Sequence, residues 1–213
     1  DPGPRIFTGH DRPTGWLAGL AAKQLMKGRW IDEIDRGCVT ELPRAVRVGQ
    51  LLLPTMSENQ FGAAVEESRD HQIAGILLSG GATRWIGRRI SELQDFAGRI
   101  PLLMAADEEG GRVQRLHHVL PNLPSAARQV NERLELVAQR AERHATQMLE
   151  LGFDVNFAPV LDVGSGPGIG DRSFSNDPSL VAEYGMATIE GLSDGGVLRS
   201  EERRVGKECR SRW

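Results

Sequence analysis

The chain has only two cysteines, Cys38 and Cys209, among its 213 residues, too few for the disulfide framework of a small secreted scaffold. It also lacks a long apolar run. The best N-terminal stretch, residues 17–26, is interrupted by Lys23, whereas a membrane span needs about 20 apolar residues in succession. A transmembrane helix and an intact signal peptide are therefore not expected, which leans toward the cytoplasm and leaves the compartment otherwise open. No charge of one sign dominates: 26 basic residues stand against 29 acidic ones, a formal net charge of −3, so nothing electrostatic points to nucleic acid. Five scattered histidines show no HExxH spacing and no Cys-x-x-Cys occurs, so neither a metal nor a cofactor is expected. What is plentiful is ordinary globular material, 39% hydrophobic and 26% charged, enough for one sizeable core.

Composition changes near both ends. Residues 199–213 read RSEERRVGKECRSRW, with nine charges in fifteen residues, Val205 as the one aliphatic side chain, and no helical or strand period. This string resembles the in-frame translation of a common sequencing-library adapter and is set aside as a non-native tail. Removing its six basic and three acidic residues leaves 20 basic and 26 acidic ones, a net charge of −6. The natural reading frame is then expected to continue past Leu198, which lies within an apolar stretch, and the missing initiator methionine raises the same expectation for the front. Residues 1–46 carry Pro2, Pro4, Pro13 and Pro43, and only residues 16–30 have a loosely helical pattern, so this part reads as a linker or weakly ordered lead-in. Lipid attachment at Cys38 is disfavoured, because Ile34, Asp35 and Arg36 are not the small apolar residues such a signal needs.

Between these segments, residues 47–198 contain four apolar bursts at 50–56 (QLLLPTM), 73–79 (IAGILLS), 100–106 (IPLLMAA) and 153–163 (FDVNFAPVLDV). Short continuous runs of this kind are how parallel strands buried on both faces read. Helical patterns separate them. Ser57 and Gln60 form a capping box ahead of Phe61 and Val65, and Ile86, Ile90, Leu93 and Ala97 make a helical stripe. Val130, Leu134, Val137, Ala141, Ala145 and Met148 make another, with Gly152 at the expected C-terminal cap. The last helix has Asp177 as N-cap and Pro178 at its first position, and runs through Leu180, Tyr184 and Ala187 to Gly191. With a fifth strand near 196–198, the array is α/β: either a doubly wound sheet or a partial TIM (β/α)8 barrel of about the first four β/α units. Polar clusters at 107–115 and 162–172 follow strand C-termini, where barrel active sites form, and the first strand lacks a glycine fingerprint. Both points favour the barrel. Four units alone would leave open sheet edges, through which the chain is expected to self-associate.

Three consecutive carboxylates, Asp107, Glu108 and Glu109, end the third strand. In extended chain Asp107 and Glu109 point the same way roughly 6.6 Å apart, superficially an acid/base pair for glycoside hydrolysis. Neighbours on one strand end cannot easily approach opposite faces of a sugar, so one is expected to bind substrate while another pins Arg112 or a loop amide. Gly110 and Gly111 imply close backbone approach, and Arg112 and Arg115 set fixed cations beside the acids. The glycine run at 164–170 (GSGPGIG) fails the G-x-G-x-x-G spacing and reads as a mobile loop rather than a phosphate cradle. His117 and His118 could titrate near neutrality, but adjacent loop histidines are mostly solvated surface.

Four segments in order, PLLMAADEEGGRVQRL (101–116), LPSA (123–126), GFDVNFAPVLDV (152–163) and GDRSFSNDP (170–178), resemble the N-terminal barrel domain of glycoside hydrolase family 3. The resemblance covers roughly residues 47–198, and the EGGRVQR and GDRSF forms look like its β-N-acetylhexosaminidase branch rather than the β-glucosidase branch. Glu108 stands where glutamine or histidine is more usual, and Ser79-Gly80-Gly81 replaces the aromatic and Arg-Asn that commonly end the second strand.

That resemblance implies a retaining hydrolase acting on terminal β-linked N-acetylglucosamine in oligosaccharides or cell-wall fragments, with carbohydrate as its partner. Mapped by motif, Asp107 would hydrogen-bond sugar hydroxyls, and Arg115 and Arg172 would complete the grip. The family's aspartate nucleophile and histidine acid/base belong to later strands and loops, so neither is expected within residues 47–198 and the chain itself would be inactive. A sugar-binding or structural barrel domain that never hydrolysed anything, or a β-glucosidase-type member, are the alternatives.

Overall fold

The computed structural model describes residues 43–63, 65, 73–96, 101–164 and 166–199. The loosely helical residues 16–30, Cys38 and all of the tail except Arg199 lie outside the described residues. Five short strands, β1 (Thr55–Met56), β2 (Gly75–Leu78), β3 (Leu103–Ala106), β6 (Val155–Asn156) and β7 (Leu198–Arg199), pair all in parallel in the order β1-β2-β3-β6-β7. Chain order equals sheet order. A doubly wound sheet reverses direction at a switch point, and no reversal occurs among these five strands, so the array is singly wound in the manner of a (β/α) barrel. A separate antiparallel pair, β4 (Glu108–Gly110) and β5 (Val113–Gln114), stands at the end of β3.

Alternation along the strands explains the layering. Ile76, Leu78, Met104, Ala106 and Asn156 are all completely buried. On the opposite face, Leu103 is 41% exposed and Leu198 38%. The main core joins the buried strand residues to Ile86, Ile90 and Leu93 of α2 (Ile86–Phe96) and to Ala145 and Met148 of α4 (Leu134–Glu150). A second cluster gathers Val137, Phe174, Val181 and Tyr184, between α4 and α5 (Pro178–Asp194).

Several boundaries differ from the sequence expectation. The first burst contributes only Thr55 and Met56 to the ladder, because α1 (Arg44–Gly49) and its exit turn occupy what precedes, leaving Leu51 83% exposed. The fourth burst pairs only at Val155 and Asn156 before the cis Ala158–Pro159 bond. The Ser57–Gln60 capping box opens a 3-10 turn, Glu58–Gln60. Val130 lies outside the third helical stripe, in the turn between α3 (Ala126–Gln129) and α4, where its carbonyl oxygen is 2.6 Å from the Tyr184 hydroxyl.

The final helix starts as read, with the Ser179 amide donating to Asp177 Oδ1 at 2.8 Å and Pro178 at its first position. Its end is different. Gly191 is interior, because α5 crosses α4 so closely that a methyl group there would lie 2.1 Å from the Ala138 carbonyl oxygen. The true stop is Gly196 (φ +91), where the Val197 amide reaches back to the Leu192 carbonyl at 3.2 Å. Gly152 (φ +92) ends α4 in the same way, with the Phe153 amide on the Met148 carbonyl at 2.9 Å.

Candidate functional site

The three consecutive carboxylates leave β3 with three different fates. Glu108 turns inward and its side chain is fully buried. Oε1 accepts the Leu116 amide at 2.6 Å, and Oε2 lies 2.8 Å from Nε2 of buried His144 on α4. Its backbone amide donates to Asn156 Oδ1 at 3.0 Å, and Asn156 Nδ2 returns a bond to its carbonyl at 3.3 Å. Gln114 closes the turn beyond, accepting the Leu123 amide at 2.9 Å and donating to the Pro121 carbonyl at 2.9 Å. These bonds fix the segment that carries Arg115 from both sides.

Glu109 takes Arg172 in a two-pronged pair, Nε to Oε2 and Nη2 to Oε1, both at 2.7 Å, with side-chain exposures of 13% for the arginine and 7% for the carboxylate. Planar fork geometry of this kind is what arginine supplies and lysine cannot. Asp107 is the outward member. Its Oδ2 lies 3.3 Å from Arg115 Nη2, and the two side chains keep exposures of 24% and 33%. Arg115 Nε is buried and has no hydrogen-bond partner among the described residues.

Of the sequence-predicted residues, Asp107 and Arg115 are thus in contact, while Arg172 is engaged by Glu109. The expectation that one acid would pin a loop amide is met by Glu108 on Leu116. Arg112 reaches the glycine run instead of the strand-end acids: Nη2 donates to the Gly168 and Ile169 carbonyls at 3.1 and 2.8 Å, and Nε lies 3.5 Å from Asp171. Ile169 is buried, so the run expected as a mobile loop is tied down at that end. Gly110 (φ +94) is obligatory here, since a methyl group would lie 2.3 Å from the Pro124 carbonyl oxygen. His117 and His118 are exposed, with ring centroids 3.8 Å apart.

One positioning residue escaped the sequence reading. Glu58, buried at the end of β1, accepts the Thr83 amide and the Thr83 hydroxyl, each at 2.7 Å, and lies 3.2 Å from Arg89 Nε. It thereby anchors the loop that follows β2. The available signal was an acidic residue two positions after a strand, which sequence alone cannot separate from a solvated turn. A largely apolar pocket that includes Glu108, Glu109, Arg140, His144 and Arg172 in its lining lies behind the rim, on the helix side of the sheet rather than where Asp107 is partly exposed. Among the described residues no cluster of three metal-ligating side chains occurs, and no helix is long and apolar enough to cross a membrane.

Residues 45–203 match the family described as Glycosyl hydrolase family 3 N terminal domain. The chain is 34% identical over 158 residues to β-hexosaminidase LpqI of Mycobacterium tuberculosis, a match covering 71% of this chain and 40% of that protein. It is 41% identical over 171 residues to a β-hexosaminidase of Hydrogenovibrio crunogenus, covering 73% of this chain and 47% of that one. Among solved structures, a glycosyl hydrolase of the GH3 family from Mycobacterium smegmatis superposes with a TM-score of 0.69 at 32% identity, over 79% of this chain and 52% of the other. The chain therefore spans about half, or less, of the length of the relatives it matches.

Proposed function

The chain belongs to the glycosyl hydrolase family 3 N-terminal domain family, and from that premise we propose that it is the sugar-gripping part of a retaining β-N-acetylhexosaminidase. Its substrate would be terminal β-linked N-acetylglucosamine on oligosaccharides or cell-wall fragments. Residues 47–198 are the barrel segment, residues 1–46 a lead-in, and residues 199–213 a non-native tail, of which Arg199 still pairs with Asn156 in β7. The names of the matched relatives favour this over a β-glucosidase-type member or a barrel that only binds sugar.

The observation that carries the reading is the Asp107–Arg115 pair at the C-terminal end of β3, partly exposed and weakly closed at 3.3 Å. Asp107 accepts from sugar hydroxyls, and Arg115 donates to hydroxyl or ring oxygens. Arg172 is the third member of the grip. A second reading of Arg172 rests on its two-pronged bond to Glu109: it clamps the loop after β6 and touches no sugar. The covalent chemistry, an aspartate nucleophile with a histidine acid/base, is assigned to barrel elements beyond residues 47–198.

In the longer enzyme of which this chain forms a part, Asp107→Ala or Arg115→Ala lowers kcat/KM by roughly 10- to 150-fold without unfolding it, the loss of a charged hydrogen bond to a neutral hydroxyl. Near-normal kcat/KM in Asp107→Ala would end the assignment of this site. For Arg172→Ala, a lowered Tm with unchanged kinetics of the folded fraction selects the clamp.

A further inference from the structure

Resting on that sugar-binding reading, we infer that Trp85 is a stacking platform for a second sugar ring, next to the ring held by Asp107 and Arg115. Placement comes first. Leu78 pairs with Ala106, so the loop after β2 and the strand end bearing Asp107 leave the sheet side by side at one rim. The Ala82 amide then donates to the carbonyl of Arg115 at 2.8 Å, which ties the Trp85 loop to the arginine of the grip.

The loop is also held rigid. Buried Glu58 takes both the amide and the hydroxyl of Thr83, and the Thr83 hydroxyl oxygen accepts the Trp85 amide at 3.2 Å. Packing does not account for the indole. Ile86, Ile90 and Leu93 form the inward stripe of α2, whereas Trp85 is off that stripe and 51% exposed. Arg84 stands over the indole, 4.7 Å from the ring centroid, which restrains the ring in one orientation before any ligand arrives.

The surroundings suit a neutral saccharide. Pyranose rings offer a face of C–H groups to an aromatic plane and hydroxyls around the edge. The indole supplies the plane on the face that Arg84 leaves open, and exposed His117 and His118 adjoin the same loop at Gly81. A methyl group on Gly81 would lie 3.2 Å from His117 Cε1, so the two segments adjoin. The ligand class is therefore a disaccharide or longer β-linked N-acetylglucosamine oligomer, of which one ring lies at Asp107 and the next on Trp85.

The test uses the full 213-residue chain and two probes, N-acetylglucosamine and its β-linked disaccharide. The Trp85 indole N–H resonance, identified by its disappearance in Trp85→Phe, is followed by NMR. The disaccharide is expected to move it saturably, at a concentration roughly 10-fold below any effect of the monosaccharide, as an added apolar contact of one ring face implies. Trp85→Ala should bring the disaccharide affinity down to that of the monosaccharide, and Trp85→Phe should restore most of it. An indole resonance unmoved by the disaccharide overturns the platform, whether or not sugar binds elsewhere. In Asp107→Ala, a resonance that still moves with the disaccharide would uphold the platform while removing the grip, so the two readings fail separately.

Discussion

Glu108 offers the sharpest check on how the rim is built, because its carboxylate does two jobs in a dry place. Its side chain has 0% exposure and that of His144 2%. Glu108→Ala would orphan the Leu116 amide and the His144 ring nitrogen together, and each buried donor left unmade costs about 1–3 kcal/mol. A total of about 4 kcal/mol follows, and for a domain of this size that lowers Tm by on the order of 10 °C. Glu108→Leu fills the space and should lose nearly as much, which separates the bonds from the cavity. Glu108→Gln keeps an oxygen for the Leu116 amide and places an amide donor opposite His144, whose neutral ring can accept at Nε2. Its cost should be about 1 kcal/mol. Urea titration followed by circular dichroism measures all three. If Glu108→Gln proves as damaging as Glu108→Ala, the charge and not the bonding pattern holds the segment. A loss under about 1 kcal/mol for alanine would show that solvent reaches these groups.

Three further outcomes are expected. The purified chain should release no aryl group from an aryl β-N-acetylglucosaminide above the buffer rate, because the nucleophile and acid/base are assigned elsewhere; measurable turnover would show that those residues were misplaced. Size-exclusion chromatography should find it self-associated, since β1 and β7 end the sheet of the described residues and Leu103 and Leu198 are exposed on one face; a cooperative soluble monomer refutes this. Gly191→Ala should lower stability by about 1–3 kcal/mol or more through collision with Ala138, read by thermal melting against Gly62→Ala, where a methyl group meets none of the described residues within 4 Å and should be near neutral.

Legibility in the sequence followed the range of the forces involved. The Asp177–Pro178 start of α5 and the Gly152 stop of α4 are local backbone chemistry, and both stand where the residues predicted them. Gly191 misled because a glycine needed for helix crossing and one needed for a left-handed turn are the same letter; only the position of Ala138 distinguishes them. The first apolar burst misled for a related reason. Leu51 and Leu52 look like strand residues, yet they leave a helical turn and are exposed at 83% and 50%, a result of tertiary placement that no period encodes. Glu58 was silent because its partners Thr83 and Arg89 are 25 and 31 residues away.

The acid triplet shows the same limit and also resolves it. Pleating predicts that Glu108 points away from its neighbours, but it cannot say which neighbour stays available, since Glu108 and Glu109 find partners 36 and 63 residues further on. Burial then ranks the three. The Glu109–Arg172 pair is at 7% and 13% exposure, and separating a buried pair costs about 3–5 kcal/mol. A sugar hydroxyl returns roughly 1.5–3 kcal/mol even when its partner is charged, too little to displace Glu109 from Arg172. Asp107 and Arg115, at 24% and 33% exposure and 3.3 Å apart, have already kept part of their hydration, so a hydroxyl can insert between or beside them at little cost. On the proposed sugar-binding reading, recognition energy at this rim therefore falls on Asp107 and Arg115, and the buried pair with Glu109 favours the clamp for Arg172.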